Sequence, residues 1–112
     1  MENRLQIGGI VGSSPETRYS PAGIPIARFT LKHQSLQSEA GMKRQVVCNI
    51  GVIASGEFLQ PLVKQLQIGE GIRVSGFLAR ANNRQGEHRL ILHAERIERL
   101  ESRSHVNDTQ FD

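Results

Sequence analysis

Four arginines, Arg73, Arg80, Arg84 and Arg89, fall along one stretch of the chain, in which two apolar runs flank Asn82-Asn83-Arg84-Gln85-Gly86. Alternation through Ile72-Arg73-Val74-Ser75-Gly76-Phe77 and again through Arg89-Leu90-Ile91-Leu92-His93 predicts a long hairpin, and the Asn/Gly-rich segment predicts its turn. Guanidinium groups at such a tip suit phosphate oxygens. Phe77 shares its strand face with Arg73, Ser75 and Ala79, opposite Val74 and Leu78, which predicts an exposed ring. Cations beside a ring are what a nucleic-acid strand needs, because every base has a π-face and every phosphate a charge. The alternative is an ordinary solvated tip.

Catalytic arrangements are missing from the sequence. His33, His88, His93 and His105 are scattered, and Cys48 stands alone in an apolar strand pattern, where it reads as a packed thiol, so no zinc ligand set is expected. Gly8-Gly9-Ile10-Val11-Gly12 has no Lys-Ser/Thr pair and leads into no helix, unlike a phosphate-binding P-loop. Glu95 and Glu98, three apart on a strand, face opposite ways. No enzyme, metal site or cofactor is therefore expected. Of the five rings, Phe29 reads as core, Phe58 as part of a helix face and Phe111 as tail, which leaves Tyr19 and Phe77 for stacking.

The elements that must position these groups follow from local pattern. A first strand from Arg4 to Val11 is expected to bend at a glycine bulge, Gly8-Gly9. Turns at Ser13-Ser14-Pro15 and Ser20-Pro21-Ala22-Gly23 precede a second strand ending near His33. The polar Gln34–Gly41 stretch reads as a long flexible loop, and Lys43–Ile50 as the third strand. Phe58, Leu59, Leu62, Val63 and Leu66 fall at helical spacing around Pro61, predicting a short helix from about Pro61 to Leu66. Three strands, a short helix and two strands form an all-β, five-stranded oligonucleotide/oligosaccharide-binding (OB) barrel; an SH3-like barrel is the alternative, but it would not need the helix.

At 112 residues the chain holds one domain, expected to span residues 1–100, with a disordered tail over 101–112. Residues 1–100 carry 13 basic and 8 acidic side chains, net +5, against +3 for the whole chain, which favours a polyanionic partner. A single cysteine fits a reducing compartment. The first residues do not read as a signal peptide, and the most apolar window, Val46–Ala54, is too short to span a bilayer, so a cytoplasmic protein without membrane contact is expected.

Several blocks in order, Asn3-Arg4-Leu5, Ser20-Pro21-Ala22-Gly23-Ile24-Pro25, Glu39-Ala40-Gly41 with Arg44-Gln45, Val52-Ile53-Ala54-Ser55-Gly56, Val74-Ser75-Gly76-Phe77 and Leu92-His93-Ala94-Glu95, resemble the primosomal replication protein N family. The resemblance runs from residue 1 to about 100. It implies a non-enzymatic OB-fold homodimer that binds single-stranded DNA and bridges a restart helicase to other primosome proteins. It also implies DNA contacts by Arg18, Arg44, Arg84 and Arg89, with Phe77 at a family aromatic position. Val47 and Met42 stand where a branch of the family has rings, and Asn82 where a lysine is expected, which implies weaker single-strand affinity. Pro15-Glu16, Arg18-Tyr19 and Pro21 also resemble bacterial single-stranded DNA-binding protein. A third reading is a protein-interaction module with little affinity for DNA.

Overall fold

The structure, a computed structural model, describes residues 1–81 and 89–100. Arg84 and Asn82 at the hairpin tip, and the whole tail from residue 101, lie outside the described residues. Six strands and one helix follow in the order β1 (Leu5–Val11), β2 (Glu16–Tyr19), β3 (Pro25–Glu39), β4 (Met42–Ser55), α1 (Gln60–Val63), β5 (Gly71–Arg80) and β6 (Leu90–Arg99). Five of the strands close on themselves in the order β1-β5-β6-β4-β3, with β1 returning to β3. The short β2 adds to the free edge of β3. All pairings are antiparallel except β4 with β6, and α1 falls between the third and fourth barrel strands. The molecule is an all-β OB barrel, as the strand–helix order predicts.

Alternation decides what faces inward. Ala27, Phe29 and Leu31 of β3, Val52 and Ala54 of β4, Ile72 and Val74 of β5 and Leu92 of β6 are buried, together with Val11, Ile97 and the apolar residues Leu59, Val63 and Leu66 around α1. Each fully buried aliphatic side chain contributes roughly 1.5–3 kcal/mol relative to exposure. Pro61 sits within the first turn of α1, where its missing N–H is no loss. The helix is shorter than its apolar spacing predicts. Phe58 therefore lies in the turn before it, 90% exposed, and joins no helix face.

Two glycines are required by close approach. A Cβ on Gly9 would lie 2.2 Å from the Lys32 carbonyl oxygen, where β1 passes from β5 to β3. The β1–β5 register runs unbroken through Gly8 and Gly9, so these residues permit a crossing of strands rather than a bulge. The register irregularity of the barrel lies instead at Ser75/Gly76 of β5, and a Cβ on Gly76 would meet the His93 carbonyl at 1.9 Å.

Gln34–Gly41 is not a long loop. β3 and β4 pair continuously from Ile26↔Ser55 to Glu39↔Met42 and leave only Ala40 and Gly41 as the turn, at φ 53° and 80°. Positive φ at both central residues is the type I′ pattern, whose twist matches that of the strands. The pair thus extends past the barrel as a two-stranded ribbon, which accounts for a longest dimension of 50 Å against 34 and 27 Å. His33 ties its base to β1: the Gly8 carbonyl, 2.7 Å away, can only accept, so Nδ1 carries a proton, and Nε2 lies 2.7 Å from the Ser35 hydroxyl. At the amino end, Asn3 holds both polar groups of Leu78, its Nδ2 donating to the carbonyl and its Oδ1 accepting from the N–H. No helix among the described residues is long and apolar enough to cross a membrane.

Candidate nucleic-acid interface

The register of five strands assembles one outward-facing surface. Phe77 pairs with His93, His93 with Ile53, Ile53 with Arg28 and Arg28 with Glu16, so these five residues form a single row across β5, β6, β4, β3 and β2. Three inter-strand steps of about 4.8 Å put Phe77 about 14 Å from Arg28. The next row is Ala79, Ile91, Gly51 and Thr30, and beyond it come Asn49 and Lys32, then Val47 and Gln34. Residues alternate on a strand, so all of these stand opposite the buried set and face out of the barrel.

At one end of the first row the Phe77 ring lies parallel to the His93 ring, with centroids 5.0 Å apart and 4° between planes. Phe77 is 38% exposed, as its strand face predicts, and offers an apolar surface on which a base could stack. Tyr19 on β2 is 65% exposed.

Ion pairing sorts the cations. Arg73, one of the four arginines of the hairpin, meets Glu98 at 3.4 Å; Arg96 meets the same carboxylate group at 2.7 Å, and Arg99 pairs with Glu70. Among the described residues Arg18, Arg28, Lys32, Lys43 and Arg89 are exposed and have no carboxylate within ion-pair distance, even though Glu16 is the register partner of Arg28. Arg73 of β5 and Arg96 and Arg99 of β6 are thus neutralised, whereas Arg18 of β2, Arg28 and Lys32 of β3 and Lys43 of β4 stay open, Arg44 of β4 being paired with Glu39.

The residues proposed from sequence are not all brought together. Arg18 lies on the outward side of β2, paired with Ile26, and so borders the surface. Arg89 is exposed just before β6, where its carbonyl accepts from Ala81 N at 2.7 Å. Arg44, partner of Gln37, belongs to the opposite side of the ribbon from Val47 and is paired with Glu39 at 3.2 Å. Both of those side chains are about two-thirds exposed, so the pair is weak and a phosphate could displace the carboxylate. Arg28 and Lys32, four apart on β3 and in phase with the outward positions, were missed by attention to the hairpin; their period-two placement between buried Ala27, Phe29 and Leu31 was the available signal. Cys48 is exposed on the ribbon rather than packed. No group of three or more His, Cys, Asp or Glu among the described residues could hold a metal ion.

A closed OB barrel with a cationic outer surface and a stacked ring pair defines a protein of the oligonucleotide-binding class. A family model described as another single-strand binding protein family matches residues 3–96. The chain is 46% identical over 100 residues, 89% of its length and 95% of the relative's, to replication restart protein PriB of Photorhabdus laumondii. It belongs to the PriB family of single-strand binding proteins. Solved structures agree: PriB from Ralstonia solanacearum is similar at a TM-score of 0.77 and 27% identity, over 90% of this chain and 100% of that one. The single-stranded DNA binding protein from Thermus aquaticus is similar at 0.75 and 29%, over 92% and 52%.

Proposed function

We propose that the protein is a non-enzymatic, single-stranded DNA-binding adaptor of replication restart, which holds the strand across the outward surface of β2–β6. The observation that carries this reading is the set of outward cations Arg18, Arg28 and Lys32, without a carboxylate partner among the described residues, on the same outer surface as the Phe77–His93 ring pair, while Arg73, Arg96 and Arg99 are ion-paired. Membership of the PriB family supports it. Arg89, exposed just before β6, adds a cation beside this surface, and Arg84 is proposed as a further DNA contact from the family resemblance alone. Arg44 serves only once Glu39 is displaced.

Bridging of a restart helicase to other primosome proteins, assembly as a homodimer, and a cytoplasmic location complete the proposal, with residues 1–100 as the folded domain and 101–112 as a tail. Val47 and Met42, both exposed, put aliphatic side chains on the ribbon where rings would stack more strongly, so charge carries most of the affinity. Fluorescence anisotropy with a labelled single-stranded oligonucleotide and its duplex, at physiological salt, tests the reading. Micromolar or tighter binding of the single strand, with much weaker binding of the duplex, is expected. No binding of the single strand would instead make the barrel a protein-interaction module, and adding the restart helicase would then be required for any DNA signal.

A further inference from the structure

β2 forms the outer edge of the sheet: it pairs with β3 alone, and all of its residues are exposed. Its backbone groups divide by register. Ser20 N–H donates to the Ile24 carbonyl at 2.9 Å, and alternation in an antiparallel ladder then makes Arg18/Ile26 and Glu16/Arg28 the next hydrogen-bonded pairs. Tyr19/Pro25 and Thr17/Ala27 are the non-bonded pairs, in agreement with the missing N–H of Pro25. The N–H and C=O groups of Thr17 and Tyr19 therefore point away from β3, toward the open edge, and have no hydrogen-bond partner among the described residues. Glu16 and Arg18 stand on the outward face, on either side of Thr17, and neither is ion-paired among the described residues.

We infer that β2 is a self-association edge: on a single strand of DNA, β2 of one copy pairs antiparallel with β2 of a neighbouring copy, centred on Thr17. The inference rests on the single-strand reading above and adds assembly to it. Two-fold pairing sets Thr17 opposite its own counterpart, where the two residues exchange both backbone hydrogen bonds, and brings each Tyr19 N–H to the Pro15 carbonyl of the other copy. Each Glu16 then lies across from the other copy's Arg18 in a non-bonded pair, the kind in which side chains approach most closely. Short length and charged side chains ordinarily protect an edge. Here the order Glu16-Thr17-Arg18 is self-complementary when reversed, so charges that disfavour strands of another charge order accept a second copy. The two-fold axis stands perpendicular to the sheet, so the outward surfaces of the two copies run into each other. Their β3 strands, each with an open Arg28, lie about 14 Å apart. A few backbone hydrogen bonds and two exposed charge pairs are too little to hold free molecules together, but neighbours on one DNA strand meet at high effective concentration.

The test uses electrophoretic mobility shifts with two oligothymidylates, the shortest that binds one protein unit and one of twice that length. On the longer oligomer the second unit should bind at least about fivefold more tightly than the first, once the statistical factor is removed. Thr17→Pro removes the edge N–H without touching a bond to β3, and Glu16→Arg sets like charges opposite each other. Each should abolish the preference, while the Thr17→Pro protein binds the short oligomer as the wild type does. Combining Glu16→Arg with Arg18→Glu restores the complementarity and should restore the cooperativity, at a lower affinity for the short oligomer. Cooperativity that neither single variant lowers would overturn the inference. Independent binding of two wild-type units would also overturn it, and would leave the edge to a strand from a different protein. Failure to bind either oligothymidylate would overturn the single-strand reading itself.

Discussion

An arginine is useful to a phosphate only if nothing nearer already holds it. Arg73 illustrates the point: its place in a basic hairpin is plain from sequence, yet Glu98, 25 positions later, lies beside it across the β5–β6 pair. Arg28 and Lys32 are the reverse case, unremarkable in sequence and open in the fold. Phe77 was legible, since alternation alone places it outward; its partner His93 was not, because a cross-strand pair depends on register that the irregularity at Gly76 shifts by one. Replacing Phe77 by Ala removes the ring platform. Single-strand binding should weaken by about 1–3 kcal/mol, and the melting temperature should fall only slightly, because the ring is partly exposed and loses one stacked neighbour. Unchanged DNA affinity with a large loss of thermal stability would show the ring to be structural. Phe58 was misread for a local reason: helical spacing begins at its position, but the chain does not turn into helix until Gln60.

Among the elements, the barrel strands were readable and the ribbon was not. A strand with one buried face must alternate, so β1, β3, β5 and β6 announce themselves through residues such as Ala27, Phe29 and Leu31. Beyond His33 both faces of the β3–β4 ribbon meet water, and selection for apolar alternation stops, so Gln34–Glu39 resembles loop. Its turn also lacks the Asn-Gly signature, with Ala40 at φ 53° in place of a residue that tolerates the left-handed region. Holding an L-alanine there costs about 1–2 kcal/mol. Ala40→Asn should recover about 0.5–1 kcal/mol and raise Tm by about 2–8 °C in a thermal melt. A lower Tm would mean that the turn geometry is set by something other than local backbone preference.

At the scale of the molecule, the fold gathers part of a modest excess of basic residues onto one outer surface. Glu70 and Glu98 neutralise arginines along β5 and β6, while β2, β3 and β4 keep Arg18, Arg28, Lys32 and Lys43 open. Composition could reveal the excess but not its side, because that depends on which strands become neighbours. A polyanion should therefore meet the β2–β4 side first, steered there by charge, and settle against the Phe77–His93 ring pair afterwards. The salt dependence of single-strand affinity tests this most directly. With the wild-type protein, log affinity should fall linearly with log salt, at about −0.7 per neutralised phosphate, and Arg28→Ala with Lys32→Ala should make the slope shallower by up to about 1.4. A salt-independent affinity, or a slope that the double variant leaves unchanged, would contradict the assignment of phosphate binding to this surface.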